Sequence, residues 1–342
     1  MKKSFASDNY AGALPEMLEA VATANTSHAR SYGNDDYTAE AKREFERHFG
    51  SDIEVTFVFN GTGANVLGIG TTTQSFNAIL CADISHMYVD ESTAPERFTG
   101  CRLYALPTNA DGKLEPETIR KKIIRIGDEH HPQISVLSIA QPTEYGTLYS
   151  IDELKAIKAV LREHNLLLHM DGARLFNAQV GLDCSMEAMT KAAGVDILSV
   201  GGTKVGLLFG EAVVFFNKSL AKTLRFRQKQ SMQLPSKMRF ISAQFDRLLK
   251  DDLGIKSATY SNRMAQQLHT KLSAFPQIKI TKPVQTNAVF AILPKDWIAP
   301  LQEVVPFYIW NEQTNEVRLM CAFDTTEEDI ERFVQKIHEL IG

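Results

Sequence analysis

The chain has 342 residues, 44% of them hydrophobic and 23% charged, with a formal net charge of −4 at pH 7. That is an ordinary globular composition, long enough to bury a large core without disulfides, and a prior of roughly 150 residues per domain allows about two domains. The mild negative charge argues against nucleic acid or an anionic membrane as the main partner, and no apolar run reaches the ~18 residues of a membrane span.

Four cysteines, Cys81, Cys101, Cys184 and Cys321, lie far apart with no ligand-like spacing, so no metal site is expected and the thiols read as reduced. Met1-Lys2-Lys3-Ser4 is followed by no apolar stretch, so no secretory signal is expected and a cytoplasmic enzyme is the default.

Along the first two-thirds of the chain, short apolar runs alternate with helical patterns, which predicts a parallel sheet covered on both faces. In such sheets ligands bind beyond the carboxyl ends of the strands, so the residues after each run are the functional candidates. The run 54–59 is followed by Asn60-Gly61-Thr62-Gly63-Ala64-Asn65. A strand, a Gly-Thr-Gly turn and a helix start make an anion cradle, although alone the stretch reads as well as a plain tight turn. The run 78–82 leads into Ser85-His86-Met87, and the run 135–140 into Gln141-Pro142-Thr143-Glu144-Tyr145-Gly146-Thr147. A lone histidine or a polar loop is more often structural than functional, so both matter here only by position.

A helix is predicted over 151–164, with Leu154, Ile157 and Leu161 on one face. The run 166–170 is followed by Asp171-Gly172-Ala173-Arg174. A carboxylate leaving an apolar strand needs a cation or several donors. Asp171 therefore either pairs with Arg174 or faces a protonated ligand nitrogen, leaving Arg174 for an anion. The run 196–200 is followed by Gly201-Gly202-Thr203-Lys204-Val205-Gly206. Desolvation beside a buried strand would lower the pKa of Lys204 and make it a usable amine nucleophile, the alternative being an ordinary loop lysine. A last run covers 212–216.

Beyond it, 219–250 reads as basic helical material broken at Pro235, 257–272 as a helix, 287–293 and 316–322 as strands, and 327–341 as an amphipathic helix behind a capping threonine. This predicts a second, smaller α+β unit.

An anion cradle, an imidazole, a buried acid and an amine nucleophile at successive strand ends suit one ligand, pyridoxal phosphate. Its phosphate would take the cradle, its ring the stacked His86, its pyridinium nitrogen Asp171 and its aldehyde Lys204.

Phe5-Ala6-Ser7-Asp8-Asn9 with Gly12 and Pro15, Gly61-Thr62-Gly63-Ala64-Asn65, Asp90-Glu91 through Ala94-Pro95-Glu96, Thr143-Glu144 with Gly146-Thr147, Asp171-Gly172-Ala173-Arg174, Gly202-Thr203-Lys204 and Arg318 occur in one order along the whole chain. In these motifs the sequence resembles the threonine aldolases, within the β-eliminating lyases of the aspartate-aminotransferase fold. The resemblance implies an α/β fold type I architecture, a mostly parallel seven-stranded sheet sandwiched by helices, plus the small carboxy-terminal α+β domain. The organisation expected is a segment over 1–15, a cofactor-binding domain over 16–245 and a small domain over 246–342.

It further implies that Lys204 holds the cofactor as a Schiff base, that Asp171 pairs with the pyridinium nitrogen and that His86 stacks on the ring. Gly61, Thr62, Gly63 and Arg239 would lie at the phosphate, Arg239 from a neighbouring subunit of a homotetramer with shared sites. Ser7, Arg174 and Arg318 would grip the substrate carboxylate, with Arg174 also beside the cofactor, and His131 would lie near the substrate hydroxyl. The family's frequent asparagine after the lysine is Val205 here, and Gly63 replaces a commoner glutamine.

The expected reaction is cleavage of L-threonine or L-allo-threonine to glycine and acetaldehyde, with His131 or His86 as the base. Elimination from another amino acid to a keto acid and ammonia is the nearest alternative. A cofactor-binding protein without turnover is a more distant one.

Overall fold

The computed structural model describes residues 3–342, so Met1 and Lys2 of the amino-terminal segment lie outside the described residues. The large sheet consists of β1 (Glu54–Val58), β2 (Asn77–Ala82), β3 (Arg102–Leu106), β4 (Gln133–Ala140), β5 (Leu167–Gly172), β6 (Ile197–Gly201) and β7 (Glu211–Phe215). Its order is β1-β7-β6-β5-β4-β2-β3. The neighbours from β6 to β3 pair in parallel, whereas β7 runs antiparallel to both β1 and β6. The mostly parallel seven-stranded architecture is therefore as predicted.

Side chains alternate across the strands and fill two layers. Phe57 of β1 joins a core with Phe45 and Phe245 from the helices Asp36–Phe49 and Arg239–Leu249, while its neighbour Val58 packs on the other face with Ala64 and Leu67. The predicted helix at 151 spans Ile151–Glu163, begun by a reciprocal Ser150–Glu153 capping box, a device worth about 1 kcal/mol. Sequence reading did not pick out β3. It lies at the sheet edge with Arg102 exposed and Tyr104 half-buried, and its apolar run is only the four residues from Leu103 to Leu106.

The smaller sheet is antiparallel, ordered β10-β11-β9-β8, with β8 (Lys279–Ile280), β9 (Ala288–Ile292), β10 (Tyr308–Asn311) and β11 (Glu316–Met320). The helices Leu253–Leu272 and Glu327–Ile341 contribute Leu268, Phe333 and Ile337 to its core.

The amino-terminal segment straps the two sheets together. Phe5 donates its N–H to the Pro306 carbonyl at 2.8 Å and accepts the Met320 N–H at 2.7 Å. Its ring is 1% exposed and meets Phe333 edge-on at 5.6 Å, a burial worth roughly 2–3 kcal/mol. Leu14 then donates to the Gly206 carbonyl at 2.9 Å. Ser7, Asp8 and Asn9 are thus held between the two sheets. Among the described residues no helix is long and apolar enough to cross a membrane.

Candidate active site

The carboxyl ends of β1, β2, β4, β5 and β6 lead into a cavity of about 300 Å3, whose lining includes Gly61, Thr62, His86, Asp171, Arg174 and Lys204. Five strand-end motifs far apart in sequence thus share one space.

At the end of β1, Asn60 caps the helix Gly61–Gly70, its Oδ1 accepting the Gly63 N–H at 2.8 Å. The Gly61 and Thr62 N–H groups have no acceptor among the described residues. Two free donors at the positive end of a ten-residue helix make an anion site. Gly63 departs from its predicted contact. Its N–H is committed to Asn60, and a Cβ there would fall 2.4 Å from the Gln233 side chain. It shapes the turn and does not line the cavity.

Asp171, at the end of β5, is not paired with Arg174. Its Oδ1 accepts the Ala173 N–H at 2.9 Å and its Oδ2 accepts the Asn65 side-chain amide at 2.9 Å. The same amide nitrogen reaches Glu91 Oε1 at 2.9 Å, and that oxygen lies 2.9 Å from His86 Nδ1. Buried Glu91 Oε2 and Asn65 Oδ1 have no partner among the described residues. The contact with Glu91 raises the pKa of His86 above its ordinary value, outweighing desolvation. It commits Nδ1 as the donor and leaves Nε2 and the ring face to the cavity.

Behind Asp171 on β5, buried His169 lies between Ser138 Oγ at 2.8 Å and Ser199 Oγ at 3.1 Å. Burial pushes its pKa down to about 4, so it is a neutral imidazole.

Lys204 sits in a single turn, Thr203–Val205, directly after β6. Burial lowers its pKa, Arg174 adds to the effect, and Asp8, Glu144 and Asp171 oppose it. The strand ends approach closely. A Cβ on Gly201 would lie 2.1 Å from the Ala173 carbonyl oxygen, so only glycine lets the Asp171 and Lys204 turns meet.

Two of the predicted carboxylate-binding groups are arranged differently from expectation. Arg174 is gripped by Asp8, with Nε donating at 2.6 Å and Nη2 at 2.8 Å. Desolvation works against ionising Asp8, but the Arg174 charge and its hydrogen bonds outweigh it and hold the carboxyl below its usual range. Arg318 does not itself line the cavity: its guanidinium lies over the Tyr308 and Trp310 rings, its Nη2 donates to the Ala6 carbonyl at 3.2 Å, and its buried Nε has no hydrogen-bond partner among the described residues. Burial first, and then Arg174, lowers the Arg318 pKa. An unsatisfied buried guanidinium nitrogen near a second arginine calls for an anion. Ser7 is buried and accepts the Asn9 N–H at 3.2 Å, capping the short turn that presents Asp8.

Besides Ser7, Gly63 and Arg318, which do not line the cavity, His131 and Arg239 are not brought to it in their own chain. His131 precedes β4, at the amino end of that strand, and stacks on Tyr104 with ring centroids 6.3 Å apart. A parallel strand carries its two ends to opposite edges of the sheet, so His131 cannot share the edge that holds Lys204. Arg239 opens the helix Arg239–Leu249, donates to the Thr26 and Ser27 carbonyls, lies over the Phe240 ring and does not line the cavity.

The donor set fits pyridoxal phosphate. There are free N–H groups for a phosphate, a braced carboxylate for a ring nitrogen, an imidazole face for the ring and a desolvated amine for the aldehyde. Sequence reading assigned no role to Asp8, Asn65, Glu91, Glu144 or Glu211. The first four lie inside motifs already singled out. Glu211 had no such signal, because it stands at the amino end of its strand.

A family model described as beta-eliminating lyase matches residues 4–295. The chain is 40% identical to a low specificity L-threonine aldolase of Pseudomonas aeruginosa, over 99% of this chain and 98% of that one. It is 39% identical to a low specificity L-threonine aldolase of a Pseudomonas species, with the same coverage. Among solved structures, a threonine aldolase of Leishmania major matches with a TM-score of 0.93 and 30% identity, over 99% of this chain and 100% of that one. An aspartate aminotransferase from Thermus thermophilus, at TM-score 0.71 and 16% identity over 98% and 90%, shares the fold.

Proposed function

The chain belongs to the β-eliminating lyase family, and from that membership we propose that it cleaves L-threonine, L-allo-threonine and related β-hydroxy-α-amino acids to glycine and an aldehyde, with pyridoxal phosphate as cofactor. One observation carries this reading. A desolvated lysine, a braced aspartate and two unpaired helix N–H groups face one cavity, and Arg174 in its lining neighbours Arg318, whose buried Nε has no hydrogen-bond partner among the described residues.

Bound there, the cofactor supplies an electron sink for the pair left on Cα when the Cα–Cβ bond breaks. The chain's residues do the rest. Lys204 holds the cofactor through its amine, and Gly61 and Thr62 hold the phosphate. Asp171, braced by Asn65, keeps a proton on the ring nitrogen opposite it. Arg318, with the Arg174 nitrogen that Asp8 leaves free, would take the substrate carboxylate and so fix which bond at Cα is held for cleavage. His86 Nε2 accepts the β-hydroxyl proton as the hydroxyl becomes a carbonyl, with Glu91 fixing the tautomer through Nδ1. His86 also covers the ring face.

We assign the protein to the cytoplasm and to a homotetramer of paired dimers, in which Arg239 reaches the phosphate of a neighbouring copy. The exposed aromatic rings of Phe59 and Phe209 at the cavity mouth support such a contact. A monomer in a solution-mass measurement would refute that assembly.

The activity is tested by incubating the holoenzyme with L-threonine. Acetaldehyde and glycine are expected, whereas a keto acid with ammonia would mean elimination at Cβ and would overturn the reading. Lys204→Ala should abolish the visible absorbance of bound cofactor.

A further inference from the structure

Glu211 opens β7, the antiparallel strand between β1 and β6, and pairs with Val58 on one side and Gly201 on the other. It therefore stands where the phosphate strand and the lysine strand both end. Its side chain is buried and belongs to the cavity lining. Glu211 Oε2 accepts the Gly202 N–H at 2.6 Å, and Thr203 adjoins the same carboxyl and favours its charged form. A carboxylate taken out of water is costly unless several donors meet it. Here the donor Gly202 and the adjoining Thr203 are the two residues directly before Lys204.

The apolar side of that turn is closed as well. A Cβ on Gly202 would fall 2.6 Å from Leu207 and 2.7 Å from the Gly210 carbonyl, and one on Gly206 would fall 2.5 Å from Leu14. The turn is wedged by packing on one side and tied by one carboxylate on the other.

We propose that Glu211 is a positioning residue for Lys204: by holding the Gly202 N–H beside Thr203, its carboxylate sets the direction and the protonation of the lysine amine in the cavity. The proposal rests on Lys204 being the cofactor-bearing amine. The charged groups around that amine are Arg174 from the turn after β5, Asp8 from the amino-terminal strap, Glu144 from the loop after β4, and Asp171. Arg174 and Asp8 neutralise each other, and Asp171 is braced by Asn65. Glu211, by contrast, acts on the lysine's own turn. Burial pushes its pKa up to about 7 against the pull of Gly202, Thr203 and Lys204, so its charge is sensitive to pH near neutrality.

The test compares holoenzymes of wild type, Glu211→Gln and Glu211→Ala. The visible absorbance of bound cofactor is titrated with pH, and kcat and KM for L-threonine are measured. Removing the negative charge should move the absorbance midpoint to lower pH. It should also lower kcat about 10- to 100-fold, the scale of a lost charge-assisted hydrogen bond, while KM changes less than about threefold. Relative to wild type, Glu211→Gln should gain thermal stability from about pH 5 to about pH 8. A carboxyl whose folded pKa is raised destabilises the folded state increasingly as pH rises through that range, and the amide does not.

A kcat loss in both variants with an unmoved midpoint would mean a merely structural residue and would overturn the proposal. So would wild-type values throughout. Failure of the underlying reading shows separately, as wild-type absorbance in Lys204→Ala.

Discussion

Replacing Asp8 by asparagine removes the partner of a buried arginine without changing side-chain size. Asp8 is 1% exposed, the Arg174 side chain 13%, and the two groups share hydrogen bonds of 2.6 and 2.8 Å. Breaking one side of a buried pair costs about 3–5 kcal/mol, since the remaining charge keeps its desolvation penalty. At roughly 2.1 cal/mol/K per residue, 342 residues unfold with an entropy of about 0.7 kcal/mol/K. Asp8→Asn should therefore lower Tm by roughly 4–7 °C at neutral pH, measured by calorimetry.

The sign of the pH dependence is also determined. The Asp8 pKa is lowered on folding, so its contribution is complete above the unfolded carboxyl range and is lost as pH falls through the folded value. Wild type and variant should converge in acid. The double variant Asp8→Asn with Arg174→Met removes both charges and should be more stable than the sum of the two single losses by at least about 2 kcal/mol. A Tm within 1 °C of wild type for Asp8→Asn, or strict additivity in the double variant, would refute a coupled buried pair.

Three further predictions concern the site. Arg318→Leu should raise KM for L-threonine by about 10²-fold, as loss of a charge-assisted carboxylate contact implies, with cofactor absorbance retained; an unchanged KM would remove Arg318 from the substrate. Glu91→Gln takes away the contact that chiefly raises the His86 pKa. A base must be neutral to act, so the acid limb of the kcat–pH profile should move to lower pH, and a stationary limb would show that His86 is not the base. Gly201→Ala forces a methyl group against the Ala173 carbonyl oxygen. It should cost about 3 kcal/mol or more, seen by circular dichroism as a lowered Tm with weakened cofactor binding; wild-type melting would contradict the close approach of the two turns.

Much of the site was legible in the sequence for one geometric reason. In the parallel part of the sheet the strands carry their carboxyl ends to the same edge, so the polar residues after each apolar run converge. Reading strand ends alone therefore located Gly61, Thr62, His86, Asp171 and Lys204. The same rule explains what was missed. His131 lies before its strand, and direction alone takes it to the far edge. Glu211 also lies before its strand, yet β7 runs antiparallel, and that reversal returns it to the site.

Strand direction in a crossover is a property of the assembled sheet, not of the local residues. The partner of Arg174 is another tertiary matter. Asp171, three residues away, was the local candidate, whereas the structure chose Asp8, 166 residues distant, because the strap anchored by Phe5 carries it between the two sheets. Local sequence pattern dictates which chemical groups reach the carboxyl edge of the sheet. How those charges pair depends on chain direction and on long-range packing that no local pattern records.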